Sequence, residues 1–108
     1  MEIIISKDFS ETPGARKRTD GEYSGEEFRE TLLIPKYLDA IKNNEKLIIN
    51  LDGGYGYPTS FLEEAFGGLA RRYDFNEVLN TLEFTSNDEP SLIEEIVDYI
   101  KNAKDGAK

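Results

Sequence analysis

Two periods of apolar spacing divide this chain. Short runs rich in β-branched residues mark strands. Glu2 to Ser6 (EIIIS) and Leu47 to Asp52 (LIINLD) have the unbroken apolar character of strands buried on both faces, while Thr81 to Thr85 (TLEFT) alternates with Leu82 and Phe84 inward. Between these runs the spacing changes to three and four. Phe28, Leu32, Leu38 and Ile41 keep a helical stripe. Leu62, Ala65, Phe66, Leu69 and Tyr73 make a second, and Leu92, Ile93, Ile96, Val97 and Ile100 a third. A short turn of helix is expected over Phe75 to Leu79. Ala15 to Thr19, between the turn dipeptides Pro13-Gly14 and Asp20-Gly21, is assigned as a further strand returning along the first. The order predicts one α/β domain over residues 1–104, a mainly parallel or mixed four-stranded sheet covered by about three helices. Residues 105–108 are expected to fray.

Polar residues punctuate the helices. Ser24 with Glu27, and Ser60 with Glu63, have the spacing of capping boxes, in which the serine hydroxyl accepts from the amide three residues on. Asp88 is expected to cap the last helix, with Glu89 and Pro90 in its first turn and Lys101 and Lys104 at its C-terminal end. Pro35 lacks an amide, so the first long helix should kink or break near Ile34 and end by Asn43-Asn44. The Gly67-Gly68 doublet forgoes roughly 1 kcal/mol per residue relative to Ala, so something must approach that backbone closely. Tight packing of helix on sheet is the expected reason, ahead of a docking partner.

Composition narrows the function. Thirteen Lys and Arg against 22 Asp and Glu give a net charge of −9, which opposes binding to nucleic acid or to anionic lipid. The segment from Asp74 to Ile100 holds eight carboxylates and no Lys or Arg. There is no His and no Cys, which removes the usual general base, the thiol nucleophile and the commonest transition-metal ligands, so no enzymatic activity is expected. No apolar stretch approaches the ~20 residues of a membrane span, and MEIIISKDF carries no basic leader, so the cytoplasm is the expected location.

Candidate chemistry gathers where a strand gives way to a helix. Gly53-Gly54-Tyr55-Gly56-Tyr57-Pro58-Thr59-Ser60 runs from the second strand into the second stripe, and ligands of open α/β sheets bind outside the carboxyl ends of strands. It is neither a phosphate loop with Gly-Lys-Ser/Thr nor a G-x-G-x-x-G turn. Tyr55, Tyr57, Phe61 and Glu64 are candidate partner-binding residues, because aromatic side chains at loop tips anchor interfaces. Alternatively, Gly56, Thr59 and Ser60 at the helix start, with Arg16 as a two-pronged clamp, could hold a phosphate or nucleotide. Arg16 could also pair, with its basic neighbours, with Glu26, Glu27 or Glu30. Asp52, Glu63 and Glu64 are oxygen donors of the kind magnesium takes, but no spacing specifies a site. No metal and no cofactor is expected.

The segments Phe9-Ser10, Pro13-Gly14-Ala15-Arg16, Ser24-Gly25-Glu26-Glu27-Phe28, Leu33 to Lys36 and, above all, Ser60 to Leu69 (SFLEEAFGGL) resemble a bacterial family of STAS-like domains of unknown function, over roughly Ile3 to Tyr73. The resemblance implies the fold of anti-sigma factor antagonists. In that wider group the loop and helix after a central strand bind a partner, a histidine-kinase-like ATPase or anti-sigma-type regulator, and a Ser or Thr at the helix start is phosphorylated to release it. Ser60 is the match by position and Thr59 the second candidate. The antagonists carry an Asp-Ser-Ser-Gly type of turn directly after the strand; here a longer Gly/Tyr loop separates Asp52 from Ser60.

Overall fold

Three strands form the sheet. In the computed structural model, which describes residues 1–106, β1 (Glu2–Ile4), β2 (Leu47–Asn50) and β3 (Leu82–Thr85) lie parallel in that order. β1 is shorter than its apolar run, because Ile5 opens a single helical turn, α1 (Ile5–Asp8), whose Asp8 carboxylate accepts from the Ile4 amide at 2.8 Å. The expected fourth strand is absent among the described residues. Residues 14–17 instead run past the start of the first long helix, where the carbonyls of Ala15 and Arg16 accept from the amides of Gly25 and Glu26 at 2.9 and 3.0 Å. The first amides of a helix have no partner within it, and supplying them uses the hydrogen bonds a strand would need.

The first long helix, α2 (residues 25–43), begins where the sequence places it, with the Ser24 hydroxyl accepting from Glu27 at 3.0 Å, and ends at Asn44 in the left-handed conformation. Pro35 does not break it. The strain of a proline is met one turn earlier, where Arg29–Leu33 widens into a π turn. The extra residue rotates everything that follows, so the buried positions step Phe28, Leu33, Tyr37, Ala40, and Leu38 and Ile41 of the predicted stripe end up 46% and 38% exposed.

α3 (residues 59–72) also contains a π turn, Glu63–Gly67, and from Phe61 to Ala70 only Glu63 is not buried. It is the central helix, and apolar surface on nearly all sides is what such a helix requires. α4 (Phe75–Thr81) starts at Asp74, whose carboxylate accepts from the Glu77 amide at 3.0 Å, and α5 (Ser91–Gly106) is the last element among the described residues. The tail expected to fray, 105–108, extends outside the described residues. Tyr37 donates to Glu77 at 2.6 Å, tying α2 to α4.

All four of these longer helices pack on one face of the sheet. The core contains Ile3, Leu47, Ile49 and Leu82 from the strands, Ile5 and Leu51 just past the ends of β1 and β2, and the buried faces of α2 to α5, with Phe84 packed against it. Side chains alternate across a strand. The opposite rows, Glu2, Ile48 and Glu83 and then Ile4, Asn50 and Thr85, therefore face away, and none belongs to that core. The expectation that β1 and β2 are buried on both sides is corrected to burial on one.

Gly25 shows how close α2 and α3 come. A Cβ there would lie 2.5 Å from the Phe61 carbonyl oxygen and 3.2 Å from the Ala65 amide nitrogen, both backbone atoms. Gly25→Ala is therefore expected to lower stability by about 1–3 kcal/mol, read as a lower urea midpoint at unchanged slope.

Candidate functional site

The ladder at the carboxyl edge of the sheet continues for one bond beyond β2, from the Leu51 amide to the Thr85 carbonyl at 2.8 Å. Asp52 then turns its carboxylate across to the chain leaving β3. It accepts from the amides of Asn87 (2.8 and 3.0 Å) and Asp88 (2.9 Å) and from the Asn87 side chain (3.1 Å). These bonds, the Asp88 amide foremost, hold the Asp52 carboxyl below its ordinary range. Asp88 thus does not cap α5; it is held by Asp52 while its own carboxylate accepts from Gly53 at 3.3 Å. Sequence reasoning missed this clasp, although Asn87-Asp88 has the residue types of a turn whose amides need an acceptor.

The loop is pinned at three further points. The Tyr55 amide donates to the Glu11 carbonyl at 2.9 Å, Ser6 donates to the Asp52 carbonyl at 3.2 Å, and the Tyr57 hydroxyl donates back to the Leu51 carbonyl at 2.9 Å. Gly56 lies between the two tyrosines with φ +121°, a conformation that suits glycine. The tyrosines diverge as a result. Tyr55 is 83% exposed, whereas Tyr57 is half-buried against Phe61 at 6.0 Å between centroids, and burial with the nearby Asp52 charge pushes its hydroxyl up to about 12. Two clefts flank them. One of about 190 Å³ is bounded by Leu51, Tyr57, Ser86, Asp88 and Leu92, and one of about 350 Å³ by Thr12, Pro13, Tyr55 and Pro58.

Several predicted site residues are elsewhere engaged. Phe61 is fully buried between Phe28 and Tyr57, so it is a core residue and presents nothing to a partner. Glu64 is 4% exposed, and its carboxylate accepts from Arg29 at 2.7 Å and Lys17 at 3.3 Å. Arg16 pairs with Glu63 and, at 3.4 Å, with Glu64, so its guanidinium is not a free anion clamp and does not pair with the carboxylates expected from α2. Its neighbour Arg18 does reach Glu30, at 3.1 Å. Ser60 does not cap α3. The N-cap is Pro58, Ser60 is the second helical residue, and its hydroxyl makes no hydrogen bond among the described residues. Thr59 is exposed and Ser60 half-exposed.

Arg29 explains the glycine doublet. It donates to the Glu64 carbonyl at 2.5 Å as well as to the Glu64 carboxylate, and a Cβ on Gly68 would collide with its guanidinium. A Cβ on Gly67 would lie 2.7 Å from Glu63 Oε2, itself held by Arg71 at 2.5 Å. The doublet makes room for the side chains of Arg29 and of the Glu63–Arg71 pair rather than for the sheet. Burial pushes the carboxyls of Glu63 and Glu64 upward, but hydrogen bonds from Arg71 and Arg16 to the first, and from Arg29 and Lys17 to the second, outweigh it and leave both below their ordinary range. Glu63, Glu64 and Asp52 are thus all engaged by protein partners, Glu63 and Glu64 sharing Arg16, and no cluster of metal-ligating side chains occurs among the described residues.

This is a two-layer α/β domain with an aromatic loop pinned at the carboxyl edge of a parallel sheet. The sequence pattern of a family described as a STAS-like domain of unknown function (DUF4325) matches residues 24–92, and the chain belongs to that family. No curated protein and no solved structure matches it. No helix among the described residues is long and apolar enough to cross a membrane.

Two outcomes follow from the carboxylates. Glu63, Glu64 and Asp52 are lowered in the folded state, so the stability they contribute is present above their ordinary values of 4.5, 4.5 and 3.8 and is lost as pH falls through the lowered ones. The urea midpoint is expected to hold from neutrality to about pH 5 and to fall steeply below it. Glu64→Ala leaves Arg29 largely buried without its counter-ion and should cost about 3–5 kcal/mol, whereas Glu64→Leu combined with Arg29→Met should recover most of that loss in the same titration.

Proposed function

We propose that this chain is a non-catalytic regulatory domain that binds another protein through the carboxyl edge of its sheet, with Tyr55 as the anchor. The observation that carries this reading is the exposure of Tyr55 on a loop whose backbone is fixed by Glu11, Asp52 and Tyr57. A large aromatic side chain on an immobilised backbone loses little conformational freedom on binding, which is why such residues dominate interface energies. The partner class proposed is a histidine-kinase-like ATPase or anti-sigma-type regulator, on the resemblance of the sequence to anti-sigma factor antagonists; the family itself is described only as STAS-like and of unknown function. The contact surface reads as Tyr55, Tyr57 and the exposed start of α3, without Phe61 and Glu64.

Phosphorylation at Thr59 or Ser60 is the proposed switch. Both hydroxyls lie in the first turn of α3, free of internal hydrogen bonds, so modification would break no contact of the fold. Negative charge is favourable at a helix N-terminus, and it would change the surface next to Tyr55 while leaving the helix intact.

A second reading is a small-ligand site in the 190 Å³ cleft, which has an apolar wall from Leu51 and Leu92 and polar groups from Ser86 and Asp88. Asp88 and Glu89 at its rim disfavour a phosphate or nucleotide, and Arg16 is not available to offset them. A thermal-shift panel of neutral and cationic small molecules, with nucleotides included, separates the readings, since a saturable rise in Tm supports the ligand site.

For the interaction reading, the tagged protein is recovered from its own host and the bound proteins and phosphosites are read by mass spectrometry. Tyr55→Ala is expected to keep the wild-type Tm and reduce recovery of the partner at least tenfold, equivalent to about 1.4 kcal/mol. Ser60→Ala should change stability by less than about 0.5 kcal/mol, because its side chain is not a cap, and Ser60→Glu should weaken the partner. Equal recovery by wild type, Tyr55→Ala and Ser60→Glu would sink the proposal.

A further inference from the structure

Parallel sheets occur almost always with both faces covered, because crossover helices and hydrophobic strands bury each other. Here the crossovers all lie on one side. The other face is made of Glu2, Ile48 and Glu83 across one row and Ile4, Asn50 and Thr85 across the next. Ile4 and Ile48 are only partly buried, and neither packs on the core. Ile48 lies on the middle strand with a carboxylate on each side of it, and the two rows contain no Lys or Arg.

We propose that this open face docks a short amphipathic helix of a partner protein, one whose aliphatic stripe covers Ile4 and Ile48 and whose flanking Lys or Arg residues pair with Glu2 and Glu83. Size selects a helix. Four-residue strands and three-strand width give a face of about 13 by 10 Å, the length of about nine helical residues. Such a face supplies far less than the roughly 800 Å² per partner of a stable protein pair, which argues against a second copy of this chain as the main occupant. Charge argues the same way. A two-fold pairing would set this face against itself, with Glu2 and Glu83 on both sides and a net charge of −9 on each molecule. The same carboxylates repel an anionic lipid surface. The inference is independent of the Tyr55 surface, which lies at the edge of the sheet and not on its face, so either can fail alone.

The test uses the isotope-labelled full chain and two synthetic 14-residue amphipathic peptides with identical Leu stripes, one flanked by Lys and the other by Glu. The Lys peptide is expected to give saturable amide shifts centred on Ile4, Ile48, Asn50 and Thr85. The Glu peptide should bind at least tenfold more weakly. Glu2→Lys with Glu83→Lys, both exposed positions, should reverse the preference between the peptides while the far-ultraviolet dichroism and Tm remain those of the folded chain. Ile48→Ser should weaken the Lys peptide at least tenfold. Shifts centred instead on Tyr55 or on Glu94 and Asp98 of α5, equal affinity for both peptides, or a concentration-dependent dimer that protects this face without peptide would each overturn the proposal.

Discussion

The meeting of α2 and α3 around the buried Glu64 carboxylate governs the rest of this molecule. A charge removed from water is costly unless it is paired and hydrogen-bonded, and Glu64 has both Arg29 and Lys17 within reach. Arg29 also donates to the Glu64 carbonyl, inside the π turn of α3. Satisfying that arginine requires bare backbone at Gly68, and the crossing beside it requires bare backbone at Gly25. The two π turns, the two glycines and the ion pair thus form one arrangement in which each part makes the others possible.

The crossing also orients the site. It holds α3 with Phe61 turned into the aromatic cluster, so the preceding loop must leave the helix outward past Pro58 and carry Tyr55 into solvent. Residues 15–17 serve the same crossing from outside: the carbonyls of Ala15 and Arg16 take up the first amides of α2, and the side chains of Arg16 and Lys17 pair with Glu63 and Glu64 of α3. A stretch with the sequence features of a strand is thereby diverted, and the sheet stops at three.

Both surfaces proposed for interaction arise from what the helices leave uncovered. The carboxyl edge is exposed because strands end there and loops begin, and the Asp52 clasp keeps the loops after β2 and β3 together. The back of the sheet is exposed because every longer helix returns to the same side. The first surface is aromatic and the second aliphatic with carboxylates on either side, so they suit different partners.

Much of the secondary structure was legible in the sequence, because its determinants are local. The Ser24 cap, the Asn43-Asn44 end, the strand content of Leu47 to Asn50 and of Leu82 to Thr85, and the stripe of α3 each depend on residues within about one or two turns of each other. The edge loop was legible too, since a strand-to-helix junction dense in Gly and Tyr is a local feature. The inward turn of Phe61 and Glu64, the engagement of Arg16, and the rotation of α2 by its π turn were not. Glu64 and Arg16 depend on partners 35 to 48 positions away, as with Arg29 and Glu64 or Arg16 and Glu64, Phe61 packs against Phe28 of another helix, and side-chain spacing along one element carries no record of what another brings against it. The sequence by itself determined most of the helical and strand segments and where the candidate loop lies; only the tertiary structure decided which aromatic faces solvent, that the stretch after Pro13-Gly14 joins no sheet and which face of the sheet stays open, because burial and ion pairing are settled when distant elements compete for the same space.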